Sequence, residues 1–332
     1  MKKLTCVFLT LLVLASLVSA ASSAEITLRL GHSLSVGSHY DVYAQEFKSA
    51  VERISNGRIQ CDVYTDKQLG ADREAIESVG LGMHEMVVCA SSPITTFDKN
   101  FLIFDMPYVV TDRNKAEAFF DGPIVASMTK NLESKGFLIL GMGENGFRHV
   151  ANNIKPMLTP EDLKGVKIRT MESPLQVETF RSLGAYATPM SAGELYIALQ
   201  QGAVDGQENP LNVFITNKTI EVVKFISLTG HFYTPCLMII SKQFFDSYPK
   251  EMQEFIVQAE KEARIAQRKF CKDLDAQMLE LIGKEYPRIT IDEVDIATWK
   301  AASEATYPQL RKILSDNKVD LELLDQYIAS QK

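Results

Sequence analysis

The sequence predicts an α/β protein of two lobes bridged by one very long helix. Three observations carry that expectation. Strand-like and helix-like periodicities alternate over residues 26–90, and they alternate again over 165–207. Two such units without a visible sequence repeat imply two lobes with a cleft between them. The third observation is that Lys250–Ile282 holds neither Gly nor Pro and is rich in Glu, Gln, Ala and Lys. At 1.5 Å per residue that is one helix of about 50 Å, long enough to cross both lobes.

In chain order, Lys2 and Lys3 precede an apolar run over 4–18 and small residues through Ala24. This is the pattern of a secretory leader, with cleavage expected after Ala20 or, as second choice, after Ala24. The run is short for a membrane span, and Cys6 stands at its front rather than its end, which argues against lipid attachment. The mature chain is expected to be soluble, exported and periplasmic. Setting Lys2 and Lys3 aside from 35 basic residues against 42 acidic ones leaves a formal charge of −9. Such a chain is a poor partner for nucleic acid or an anionic membrane, and local positive charge in a cleft becomes the more meaningful. Cys61, Cys89, Cys236 and Cys271 each lie alone in an apolar run, so buried free thiols are expected, with disulfides as the alternative.

Ile26–Gly31 reads as a strand ending in His32-Ser33, and Tyr40–Ile54 as a helix stopped by Asn56-Gly57. Arg58–Tyr64 is the next strand, Ala71–Leu81 a helix and Met86–Ala90 a third strand. A parallel sheet with right-handed crossovers follows, and its ligands sit beyond the carboxyl ends of the strands. His32, Ser33, Asp72, Glu74 and Ser91 fall on that edge. Phe97–Val110 lacks periodicity and reads as an ordered connection. Helices are expected over Asn114–Phe120 and Val125–Lys135, and a strand over Phe137–Leu140. The second unit runs Gly165–Arg169 strand, Leu175–Leu183 helix, Tyr186–Pro189 strand, Ala192–Gln200 helix and Val204–Gln207 strand, with Leu237–Ile240 another strand.

Several chemistries lack support. Gly141-x-Gly143-x-x-Gly146 has dinucleotide spacing, but Phe147–Ala151 reads as extended where the phosphate-binding helix belongs. The five histidines show no zinc spacing, and Ser33 and Ser191 lack a nucleophile elbow. No cofactor and no metal are expected. Asp72 and Glu74 stand at a helix start, where one acid serves as a cap; two acids around Arg73 exceed what a cap requires. Arg148 and Arg169 each sit beside a β-like run, and a guanidinium fork matches a carboxylate bidentately. Gln207 and Asn209 place amides at a strand end before Pro210.

These phrases together resemble the periplasmic solute-binding subunits of TRAP (tripartite ATP-independent periplasmic) transporters. The likeness runs through Leu28-Arg29-Leu30-Gly31-His32, Asn56-Gly57-Arg58-Ile59 and Gln68-Leu69-Gly70-x-Asp72-Arg73-Glu74. It continues through Asn145-Gly146-Phe147-Arg148 and Thr159-Pro160-Glu161-Asp162-Leu163-Lys164-Gly165-x-Lys167-Ile168-Arg169. The most specific run is Ala198-Leu199-Gln200-Gln201-Gly202-x-Val204-Asp205-Gly206-Gln207-Glu208-Asn209-Pro210, and Thr229-Gly230-His231 follows.

The resemblance implies a two-lobed periplasmic binding protein fold that closes on an organic acid without catalysis. It implies Arg169 as the carboxylate partner, with Arg148 and Asn209 beside it and His32, Ser33, Asp72 and Glu74 facing them. Glu172 adds an acceptor. Lobe one is expected over 25–145 plus 235–273, and lobe two over 146–234 plus 274–332. The implied partners are the small and large membrane subunits of the transporter, with an ion gradient driving uptake and the binding protein itself a monomer. Ala90 and Pro93 stand where sialic-acid binders carry a glutamate and an arginine, which disfavours sialate. Pro189-Met190-Ser191-Ala192-Gly193 lacks the aromatic that members often carry there. A uronate or related sugar acid is the expected ligand. A C4-dicarboxylate held by Arg148 and Arg169 at its two ends is the alternative, and an exported sugar-acid enzyme a more distant one.

Overall fold

A computed structural model describes residues 24–332, so the leader expected over 1–24 lies, apart from Ala24, outside the described residues. The strands are β1 (Ile26–His32), β2 (Ile59–Tyr64), β3 (Met86–Ala90), β4 (Phe137–Asn152), β5 (Lys167–Thr170), β6 (Tyr186–Pro189), β7 (Gly206–Asn209), β8 (Phe225–Ser241) and β9 (Thr290–Asp292). They join in the order β2-β1-β3-β8-β4-β7-β5-β6, with β9 on β8. Two parallel groups, β2-β1-β3 and β7-β5-β6, match the two units expected from the sequence. Between them run β4 and β8, antiparallel to each other and to β7 and β3, while the short β9 lies parallel to β8. The sheet is therefore mixed rather than wholly parallel.

The long central strands correct the sequence reading, which took Phe137–Leu140 and Leu237–Ile240 as short separate strands. The β4–β8 ladder shifts register at Ile139/Gly141, Glu144/Gly146 and Arg148/Val150. Such bulges break the two-residue alternation that marks a strand in sequence, and they bend it. The glycines involved serve the backbone. At Gly141 a Cβ would run into the Glu260 carboxylate of the long helix, and Gly146 has φ +106. The Gly141-x-Gly143-x-x-Gly146 spacing thus belongs to a bent strand, not to a phosphate loop.

Four apolar clusters give the two lobes their cores. Two surround the β2-β1-β3 end, one of them built on helix His39–Ile54. The other holds Phe101–Phe104 from the Phe97–Val110 connection, which forms a 3-10 helix over Lys99–Asp105. Two further clusters surround the β7-β5-β6 end, around Ile168, Phe180 and Trp299 and around Leu199, Phe214 and Ile226. The helix Lys250–Glu285 crosses between the lobes as expected. Its Met252, Ile256, Ala259 and Ala263 enter a lobe-one core, while Ile282 enters a lobe-two core. Between these ends its buried positions turn polar at Glu260, Gln267 and Arg268.

The allotment of 274–332 to lobe two does not hold throughout. Trp299 packs in lobe two and donates from its indole N–H to Leu158 O at 3.1 Å. Helices Tyr307–Asp316 and Leu321–Ser330 instead set Leu310, Leu314, Leu324 and Tyr327 into the lobe-one cluster with Phe104 and Phe119. Amphipathic spacing in a C-terminal helix says that a face is buried but not against which lobe, which is why the sequence left this open to error. Cys61, Cys89, Cys236 and Cys271 are all buried free thiols.

Candidate ligand-binding site

A cavity of about 490 Å³ lies between the lobes, at the strand ends of both parallel groups. The lobes are drawn together over it. Met171 and Val213 from lobe two pack into a lobe-one core, and Gln176 Nε2 donates to Asp105 Oδ1 at 2.8 Å. Burial pushes the Asp105 carboxyl up to about 6, partly offset by hydrogen bonds from Ser173, Ser92 and Gln176.

Lobe two supplies the cations. Arg169 stands on β5 beside Gln207 of β7, with a side chain that lines the cavity while the residue is 2 % exposed. Its Nε and Nη2 both donate to Met190 O, at 2.8 and 2.5 Å. Among the described residues no carboxylate pairs with it. Burial lowers its pKa to about 10, which the more distant charges of Glu208, Asp72 and Glu172 only partly oppose. A buried cation in this state is short of one anion.

Arg148, on β4, is buried and also lines the cavity, but its charge is already matched. Its Nε and Nη2 grip the two Glu208 carboxylate oxygens at 2.5 and 2.8 Å, and Nη2 also donates to Glu208 O at 2.7 Å and Asn209 Oδ1 at 2.9 Å. Burial alone raises the Glu208 carboxyl; Arg148 and His231 outweigh it and bring it down to about 2. The His231 ring, 3.5 Å from Glu208, is itself held below its ordinary value by burial.

Asn209 lines the cavity, and its Nδ2 donates to Gln207 Oε1 at 2.9 Å. Gln207 was expected at the site, yet it is fully buried and does not line the cavity. Two residues apart on one strand, the two amides share a face, but Gln207 lies a ladder step farther from the cleft.

Lobe one supplies acceptors. Ser33 lines the cavity at the end of β1. His32 does not: it is buried with Nε2 3.6 Å from Asp41 Oδ1, because alternation turns it to the other face of the strand end. Asp72 lines the cavity and accepts from Ala90 N at 3.0 Å through Oδ2, leaving Oδ1 buried without a partner. Burial raises its carboxyl, against the Ser33 hydroxyl, the Ala90 N–H and the nearby charges. Glu74 carries the helix cap, accepting from Ala71 N at 3.1 Å through Oε2, and it lines the cavity as well. Glu172 lines the lobe-two side, 3.8 Å from Arg73 across the cleft.

The sequence reading missed Tyr40, Asn145, Arg73, Glu194 and Asn217 in the cavity wall, and Glu208 behind it. Asn145 and Glu208 lay inside phrases already singled out, one residue from Gly146 and between Gln207 and Asn209. The signal for Glu208 was an acid in a run that had to stay buried, which demands a buried cation opposite.

Residues 30–313 match the family described as bacterial extracellular solute-binding protein, family 7. A solute-binding protein of Verminephrobacter eiseniae is 37% identical over 294 residues, covering 88% of this chain and 87% of the relative. The 2,3-diketo-L-gulonate-binding periplasmic protein of Escherichia coli is 33% identical over 293 residues, covering 88% of each. The crystal structure of a TRAP periplasmic solute-binding protein from a Polaromonas species, bound to D-erythronate, superposes with a TM-score of 0.85 at 33% identity, over 92% of this chain and 98% of that one.

Proposed function

We propose that this chain, which belongs to the bacterial extracellular solute-binding protein family 7, captures a hydroxylated monocarboxylate of the sugar-acid class. It is a binding protein of TRAP type and not an enzyme, as its family and structural relatives are. In this reading it acts outside the cytoplasm as a monomer and hands its ligand to the small and large membrane subunits for ion-gradient-driven uptake.

One observation carries the ligand class: of the two buried arginines facing the cleft, only Arg169 lacks a carboxylate partner. One unbalanced cation calls for one anionic group. Arg169 takes the ligand carboxylate, and Arg148 and Asn209 border it. Ser33, Asp72, Glu74 and Glu172 accept from ligand hydroxyls. A C4-dicarboxylate would bring a second anion toward Arg148, whose fork Glu208 already fills. Sugar acids are also what two relatives are named for, 2,3-diketo-L-gulonate and D-erythronate.

Calorimetric titration with D-erythronate and with succinate tests this directly. Both have four carbons, and they differ in one carboxylate against hydroxyls. Tighter binding of D-erythronate is expected. Preference for succinate by tenfold or more, on the order of 1.4 kcal/mol, overturns the class.

A further inference from the structure

A buried polar relay crosses from lobe two to the cavity wall through one histidine. His39, the first residue of helix His39–Ile54, is fully buried. Its Nε2 lies 2.7 Å from Asn145 Oδ1, and Asn145 is a cavity residue whose Nδ2 donates to Thr234 Oγ1 at 3.0 Å. Its Nδ1 lies 2.8 Å from Nδ2 of Asn212, in helix Leu211–Thr216, whose Leu211 and Phe214 belong to a lobe-two core. An amide oxygen only accepts and an amide nitrogen only donates. The two partners therefore require a neutral ring carrying its proton on Nε2 and a bare Nδ1.

We propose that His39 is a positioning residue that latches the closed lobes: Asn212 docks on its bare Nδ1, and its Nε2–H sets Asn145 against the ligand. The proposal rests on the reading of this cavity as the ligand site and adds its regulation by pH. A second proton on His39 would place a charge in a buried site with no acid acting on it and would force the Asn212 amide to turn over, and so oppose closure. The surroundings agree. The charged or titratable groups acting on the ring are His32 on β1 and Arg148 on β4, and both disfavour a positive charge. Tyr40 on its own helix packs edge-on at 4.6 Å, and helix Leu211–Thr216 contributes only the neutral Asn212. Burial is the leading cause that brings His39 down to about 4 in this closed arrangement.

When the lobes part, the ring regains water and moves toward its ordinary value, so closure expels a proton wherever the open ring is charged. Affinity is then complete near neutral pH and falls as pH drops through the open-state value toward the closed-state one. From about pH 7.5 to about pH 5.5 the loss is up to about tenfold.

Calorimetry with D-erythronate, or with succinate where the sugar-acid reading itself has failed, measures this across that range in two buffers of different ionisation enthalpy. The wild-type chain is expected to weaken toward acid and to release protons on binding. His39→Gln keeps a donor toward Asn145 but cannot titrate, and its profile is expected to flatten. Asn212→Asp gives the charged ring a carboxylate acceptor and is expected to flatten or invert the slope. Other buried titrating groups, among them Asp105, Glu144 and His231, are common to all three proteins and cancel in the differences. A flat wild-type profile, or an unchanged slope in both variants, overturns the latch. Loss of binding in Arg169→Ala bears on the ligand site alone.

Discussion

On either side of strand β7 stand two buried arginines in opposite states. Arg148, from β4, is gripped by Glu208 of β7 and borders the ligand cavity with its charge already matched. Arg169, from β5, is as deeply buried and holds nothing but the carbonyl of Met190. Sequence treats the two alike, since each is an arginine in a β-like run. The difference lies in the partner the fold supplies, and it divides their work: one arginine belongs to the architecture and the other is left for a ligand.

Removing each in turn separates those roles. Arg148→Met leaves the buried Glu208 carboxylate with only the His231 ring beside it, and a stability loss of about 3–5 kcal/mol is expected in urea unfolding. Arg148→Met combined with Glu208→Gln is expected to recover much of it. If Arg148→Met unfolds like the wild type, the architectural role is wrong. Arg169→Ala is expected to lose about 2–4 kcal/mol of ligand binding by calorimetry, with the charge-assisted bonds gone. Its unliganded thermal stability is expected to hold or rise, because an uncompensated buried charge has been removed. A matching fall in unliganded stability would erase the contrast between the two arginines.

Arg169→Lys sharpens the comparison at smaller amplitude. A point charge keeps attraction but not the fork, and about 1–2 kcal/mol of binding should go. The smallest effect concerns acid. The Glu208 carboxyl is held near 2, below its ordinary value of 4.5, so its pairing supports the fold fully above that ordinary value and loses that support as pH falls through about 2. Asp105, Glu144 and Glu260, whose carboxyls burial raises to about 6, 7 and 7, work the other way. Their window lies above that of Glu208, so they do not offset its loss of support below about pH 4.5. The Arg148→Met, Glu208→Gln double variant is expected to show less of it between about pH 5 and about pH 3.

What the sequence made legible was whatever depends on local pattern. The Lys250–Glu285 helix, the two α/β units and the Arg148, Arg169 and Asn209 phrases rest on spacing or on short runs. What it hid depends on partners distant in the chain. Nothing near Gly141 announces that Glu260 passes beneath it. His32 and Gln207 share strand ends with true wall residues, and only the register turns one inward and leaves the other behind. Glu208 reads as one more acid until Arg148 is found 60 positions upstream of it.

The return of the last two helices to lobe one has a consequence for biogenesis. Strand β1 begins that lobe at the start of the described chain, while Leu310, Leu324 and Tyr327 complete its core near the end. A chain still missing residues 307–332 leaves Phe104 and Phe119 without that cover. The core of lobe one is thus assembled from segments some two hundred residues apart, and its packing waits on residues 307–332.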